Sequence, residues 1–388
     1  MKITDIRAIP VAVPLKPSAA MARHVEYERN RVIGDTLTSV IVEVTTDEGY
    51  TGIGESPAML GAGLTADLIR STRSFLAGKD PADINPLIQG LYTRHNLGRL
   101  HIHLASWAFS GVELALWDIA ARSGGMPLYQ LWGGAFRERV ELLGMVSRRA
   151  PDEMAAEAAR LFNSGFRALH TDLGVGAEED DLIAMAAMRK GAPDHSVRLC
   201  ADANQAWSTG VAVSVINRLE PLGIGWIEQP VMMHNPDGLK DVKNRVDVPI
   251  MGHESNWTMY DVLNVIKSNC VDYVKIDGRF DAGYKGARVS AGIAEAGGIQ
   301  CAHQSFPQLG VALAGSLHIM AACPNFTLPY SMSGYMASDD VITGGPLYTG
   351  ELPYIDVPGD VGLGVTLDPE RVAKYNEMYL RLAVNGDA

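Results

Sequence analysis

The chain has 388 residues, 47% hydrophobic and 20% charged, with a formal charge of −12. That composition suits a globular protein with a sizeable core rather than a disordered chain, and the length allows two or three domains or one large barrel with an attachment. The acidic balance argues against nucleic-acid or anionic-membrane partners, which need a concentrated basic face, and leaves a small-molecule ligand as the default.

The N-terminal stretch MKITDIRAIPVAVPL has an early lysine but no uninterrupted apolar segment followed by a small-residue cleavage site, and no run approaches bilayer length. A cytoplasmic location is expected. KITDIRAIPVAVPL and LTSVIVEVTTDEGYTGIGES read as strands interrupted by an Asp-Glu-Gly turn, the pattern of an antiparallel meander. The polar segment between them, LKPSAAMARHVEYERNRVIG, has no clear period, and long loops in compact domains are often functional lids. It carries Arg23, His24, Tyr27, Arg29 and Arg31; together with Glu55 to Leu60 it is expected to close over a substrate. Helical stretches follow at LTADLIRSTRSFLAG and ASWAFSGVELALWDIAARSG, so residues 1–125 form an α+β domain.

From about residue 140, short runs rich in Val, Ile and Leu recur: 140–147, 166–173, 197–203, 225–230, 248–254, 271–277, 299–304 and 326–331. Their spacing leaves room for a strand, a loop, a helix and a return loop. Helical patterns lie between several of them, with Thr258 and Asp181 where N-caps belong and Gly165 where a helix stops. Alternating βα units imply parallel strands, and eight of them imply a closed barrel over residues 126–345. After residue 345 the repeat ends, and residues 346–388 are expected to pack back on the first domain. Cys200, Cys270, Cys301 and Cys323 show no CxxC spacing and read as core thiols.

In such a barrel the C-terminal strand ends share one mouth. The third, fourth and fifth strands end at Asp202, Glu228 and Glu254. Three carboxylates facing one cavity repel one another and call for a cation, and all-oxygen ligation selects a hard ion such as Mg²⁺. The sixth and seventh strands end at Asp277 and His303, where a carboxylate beside an imidazole would fix its tautomer and raise its basicity. Asn204, Lys275 and Tyr330 join Arg23, His24 and Tyr27 as candidate substrate contacts.

At these residues, and in DEGYTGIGES, VELALWDIAAR, PLYQLWGG, ADANQAW, WIEQP, PIMGHES and a late GLGV turn, the sequence resembles the enolase superfamily and its mandelate racemase subgroup. The resemblance implies a capping domain over a (β/α)7β TIM-like barrel, Mg²⁺ on Asp202, Glu228 and Glu254, and an Asp277–His303 dyad beside it. It also implies a homo-oligomer acting on a small carboxylate. His253 occupies the position of a ligand in muconate-lactonizing members, whereas Glu254 matches the racemase-like members and is preferred.

Two departures bear on the reaction. Second-strand bases in the superfamily usually lie in a Lys-x-Lys motif, and this chain has His170-Thr171-Asp172 there. On the sixth strand, Asp277 stands where muconate-lactonizing enzymes, dipeptide epimerases and succinylbenzoate synthases have lysine, with Lys275 two residues earlier on the same face. With His303 as the well-supported base, the expected reaction is loss of a β-hydroxyl from an acid sugar or hydroxy acid to give a 2-keto acid. The alternatives are a racemase or epimerase with His170 or Asp172 as a second base, and a metal- and ligand-binding protein without turnover.

Overall fold

The computed structural model describes residues 1–16, 32–33, 35–94, 98–99, 101–304, 307–332 and 336–384. Arg23, His24, Tyr27, Arg29 and Arg31 lie outside the described residues.

β1 (Ile3–Pro14), β2 (Val32–Ile33), β3 (Thr36–Thr46) and β4 (Thr51–Pro57) form an antiparallel sheet with β3 paired to the other three. Its apolar residues bury against α1 (Ala62–Ser71), α2 (Ile84–Arg94) and α3 (Ile102–Ser123) in a core that includes Val40, Val42, Val44, Ile69, Leu87, Phe109 and Leu116. The Thr-Gly-Ile-Gly run of β4 lets α3 lie directly on the strand. A Cβ at Gly54 would stand 1.9 Å from the Gly111 carbonyl oxygen, and one at Gly52 would stand 2.1 Å from that of Ala115.

The parallel sheet runs in sequence order through β6 (Gly144–Met145), β7 (Ala168–Asp172), β8 (Arg198–Asp202), β9 (Ile224–Glu228), β10 (Ile250–Gly252), β11 (Tyr273–Ile276) and β12 (Gln300–His303). Two expectations change here. The first barrel run is split: β5 (Arg139–Glu141) leaves the barrel to pair antiparallel with β13 (Tyr354–Asp356). The eighth run, 326–331, forms no regular strand among the described residues. It still closes the ring by hydrogen bonds, from Leu328 N to Cys301 O on one side and from Leu143 N to Tyr330 O on the other.

Helices between the strands cover the sheet. α4 (Pro151–Asn163) opens on proline at its first position and buries Met154, Ala158 and Leu161 at helical spacing. α6 (Thr209–Leu219) and α7 (Pro236–Arg245) precede α8 (Met259–Ser268), which starts where Thr258 accepts from Asp261 N, as expected of that residue. Asp181 is not a cap: it lies inside α5 (Glu178–Gly191), buried, accepting from Gly174 N and paired with Arg148. Gly165 follows α4 with φ +97°, the left-handed stop predicted for it. All four cysteines are buried and unbridged. No helix among the described residues is long and apolar enough to cross a membrane. The C-terminal helix α11 (Pro369–Val384) returns to the first sheet, where Asn376 donates to Pro10 O at 2.7 Å.

Two buried glutamates fasten the capping sheet and α3 to the barrel. Glu55 accepts from Leu309 N and Ala312 N, both at 2.8 Å, at the start of α10 (Gly310–Ala322), so it serves the helix terminus rather than a mobile lid. Glu113 on α3 accepts from Tyr284 N and Lys285 N at the start of α9 (Gly283–Ala296). Burial pushes the Glu113 carboxyl up from 4.5 to about 7, against the lowering effect of those bonds. A carboxyl raised in the folded state contributes most stability below its unfolded value and loses it as pH rises through the folded one. Glu113→Gln is therefore expected to gain stability relative to the parent chain between pH 4.5 and 7, by roughly 3 kcal/mol in all, read as the difference between their thermal midpoints across that range.

Candidate active site

Along the barrel axis, Ala168, Cys200, Trp226, Met251 and Ala302 form one buried apolar layer, with Tyr273 packed against it. Strand side chains alternate, so the residue two places further along each strand faces inward again, nearer the C-terminal mouth. Those residues are His170, Asp202, Glu228, His253, Lys275 and Gln304, and all are buried. The pairing register sets Asp172, Asp202 and Glu228 side by side on β7, β8 and β9.

Glu228 is the centre of this ring. His253 Nδ1 lies 2.9 Å from its Oε1, and Lys275 Nζ lies 2.5 Å from its Oε2. His170 Nε2 reaches the same Oε2 at 4.0 Å. Burial works to raise the Glu228 carboxyl, but Lys275 and His253 outweigh it and hold the group below the usual carboxylate range. Asp202 goes the other way: burial, then the charges of Glu228 and Glu254, push it well above its ordinary value. Burial works to lower Lys275, yet Glu228 and Asp202 keep it above its usual value and protonated. His170 is driven down to about 3 by burial and by the charge of Lys275, and so is neutral.

One group of potential metal-binding side chains emerges among the described residues: Asp202, Glu228 and His253, whose ligand atoms all lie within 4.8 Å of one another. Glu254, the expected third ligand, begins a short 3-10 turn beside this group, 3.4 Å from His253 Nδ1, and its buried Oε2 accepts no hydrogen bond from the described residues. β10 ends at Gly252, so the inward phase set by Met251 falls on His253. The Gln229 side chain fixes that backbone by accepting from His253 N and Ser255 N. Two carboxylates and an imidazole, all buried, fit a divalent cation.

Asp277 and His303 come near each other without forming the expected hydrogen bond. Arg279, itself fully buried, takes Asp277 through its backbone N, Nε and Nη2. His303 Nδ1 lies 2.9 Å from the Gln304 carbonyl oxygen, and its buried Nε2 has no hydrogen-bond partner among the described residues. Its ring meets Tyr330 edge-on at 4.9 Å. Burial is the main cause that lowers His303 to about 4; Arg279 lowers it further and Asp277 opposes. Burial works to raise Asp277, but Arg279 and His303 hold it below its usual value. Tyr330, expected as a substrate contact, is fully buried, with Gln308 Nε2 donating to its hydroxyl. Asn204, with φ +45°, turns the chain after β8 and donates its N–H to Asp202 Oδ1.

Arg279 and Gln304 were not among the candidates. The Asp-x-Arg spacing was the available signal for the first, and strand phase from Ala302 for the second.

Residues 10–133 match the family model of the mandelate racemase / muconate lactonizing enzyme N-terminal domain, and residues 153–372 match that of the enolase C-terminal domain-like family. The chain is 33% identical to an L-Ala-D/L-Glu epimerase from Bacillus subtilis, over 94% of this chain and 97% of the relative. A solved substrate-liganded complex of the L-Ala-D/L-Glu epimerase from that organism superposes with a TM-score of 0.82 and 31% identity, covering 94% of this chain and 99% of the other. An arabinonate dehydratase from Saccharolobus solfataricus is 27% identical over 73% of this chain and 76% of its own length. The similarity thus reaches the dipeptide epimerases, the branch that Asp277 argued against.

Proposed function

The chain belongs to the enolase superfamily, in its mandelate racemase / muconate lactonizing enzyme group, and we propose that it is a racemase or epimerase that moves the proton α to a carboxylate between two faces. One observation carries this reading: His170 on β7 and Lys275 on β11 approach the same Glu228 oxygen from strands on opposite sides of the metal-ligand strands. A 1,1-proton transfer needs one group to take a proton and another to return it, and environments that push two pKa values apart assign those tasks. A neutral His170 takes the proton, and a protonated Lys275 delivers one to the other face; in the reverse direction the roles exchange.

The superfamily's cation is Mg²⁺. Asp202, Glu228 and a third ligand from residues 253–254 would hold it. When bound, it supplies fixed positive charge against the substrate carboxylate, where negative charge builds as the α-proton leaves. The buried walls around Glu228 exclude water, which strengthens each of these interactions.

A second reading has its own support. His303 Nε2 is buried with no hydrogen-bond partner among the described residues, and a single base there could take the α-proton and return it to a departing β-hydroxide, giving a 2-keto acid. Incubation with Mg²⁺ in D₂O and sets of dipeptides, N-acylated amino acids and acid sugars, followed by proton NMR, separates the two. Loss of the α-proton signal with appearance of the other stereoisomer is expected. Formation of a 2-keto acid would replace the epimerase reading with dehydration.

A further inference from the structure

Resting on the cation-dependent chemistry proposed above, we infer that His253 rather than Glu254 is the third metal ligand, and that its imidazole shifts the preference of the site from Mg²⁺ toward later first-row cations such as Mn²⁺. The strand geometry leads to this residue. Met251 points into the axial layer, Gly252 ends the strand, and His253 is next in the inward phase. Its Nδ1 stands 2.9 Å from Glu228 Oε1 and 4.0 Å from Asp202 Oδ2, a spread that one ion could bridge. The Gln229 clamp on the backbone at 253 and 255 holds the ring there.

The consequence is chemical. Mg²⁺ binds through charge and hard oxygen donors and takes its site with reluctance to shed water. Asp202, Glu228 and an imidazole offer one nitrogen where three carboxylates would offer oxygen alone, and the ammonium of Lys275 lies 2.5 Å from one of those oxygens. Such a site attracts a hard ion less strongly. A nitrogen donor compensates only for ions that gain from it, and that gain rises along the first transition row.

The test uses the full chain loaded with Mn²⁺. Pulsed electron paramagnetic resonance is expected to show coupling to ¹⁴N in the parent chain and in Glu254→Gln, and to lose it in His253→Asp. Calorimetric titration should show the Mn²⁺-to-Mg²⁺ affinity ratio falling by about tenfold in His253→Asp, because the all-oxygen set is restored. If His253→Asp fails to fold, the parent chain and Glu254→Gln still decide the matter. Bound Mn²⁺ without ¹⁴N coupling in the parent chain overturns the histidine ligand alone. Absence of any divalent binding by the parent chain overturns the cation-dependent reading as well.

Discussion

Replacing Glu228 with glutamine should both abolish divalent-cation binding and destabilise the fold, and a second substitution should separate the two effects. Glu228 is fully buried, and the cation that faces it in this structure is the ammonium of Lys275 at 2.5 Å. Removing one member of a buried pair leaves the other charge in a low-dielectric interior, at a cost of about 3–5 kcal/mol. Asp202 and Glu254 lie close enough to offset part of that cost. Glu228→Gln with Lys275→Met removes both charges and leaves an uncharged pair of similar size, which should bring the thermal midpoint back to near that of the parent chain. Mg²⁺ binding, followed by calorimetry, should remain absent in the double variant, because Asp202 and a ligand from residues 253–254 are too few to hold a hard divalent ion without the central carboxylate. A single variant that keeps both its midpoint and its cation affinity would remove Glu228 from the centre of the site.

The parts of this site that could be read from the amino-acid sequence are those set by alternation and charge. Acids at the ends of Val- and Ile-rich runs betray themselves, because a buried run that ends on a carboxylate needs a reason, and Asp202 and Glu228 sit where that reasoning put them. On the fifth strand the sequence favours Glu254, and the strand itself stops two residues before it, at Gly252. PIMGHES offers two candidates, and only the observed strand end at Gly252 with Met251 facing the axis selects the phase of His253. The eighth strand could not be foreseen as irregular, since its closure depends on hydrogen bonds to Cys301 and Leu143 from distant parts of the chain. Arg279 was hidden for a related reason: its partners are Asp277 and the Pro307 carbonyl in the loop beyond β12, so its burial is a tertiary fact. Glu55 and Glu113 were equally illegible, as acids in apolar segments whose partners are the first N–H groups of barrel helices.

Substituting His170 or Lys275 should break interconversion while sparing one half of the chemistry, an outcome that a single-base mechanism cannot give. Each group serves one face of the α-carbon in the proposed reaction, so each reacts directly with one stereoisomer. In D₂O, Lys275→Met should still exchange the α-proton of the isomer presented to His170, and His170→Asn should exchange only the other. Conversion of either isomer into its mirror configuration should fall by about 10²- to 10⁴-fold in both variants, the usual contribution of one acid or base. Asp172→Asn is the necessary companion, because Asp172 shares the inward phase of β7 with His170 and stands in register with Asp202. If Asp172 carried the proton on that side, its substitution would reproduce the loss expected for His170. His303→Asn should leave exchange of both isomers intact, since His303 packs against Tyr330 on the opposite strand phase from Lys275 and Ala302. Loss of all exchange in that variant, with His170→Asn and Lys275→Met unaffected, would instead assign the base to His303 and restore the elimination mechanism.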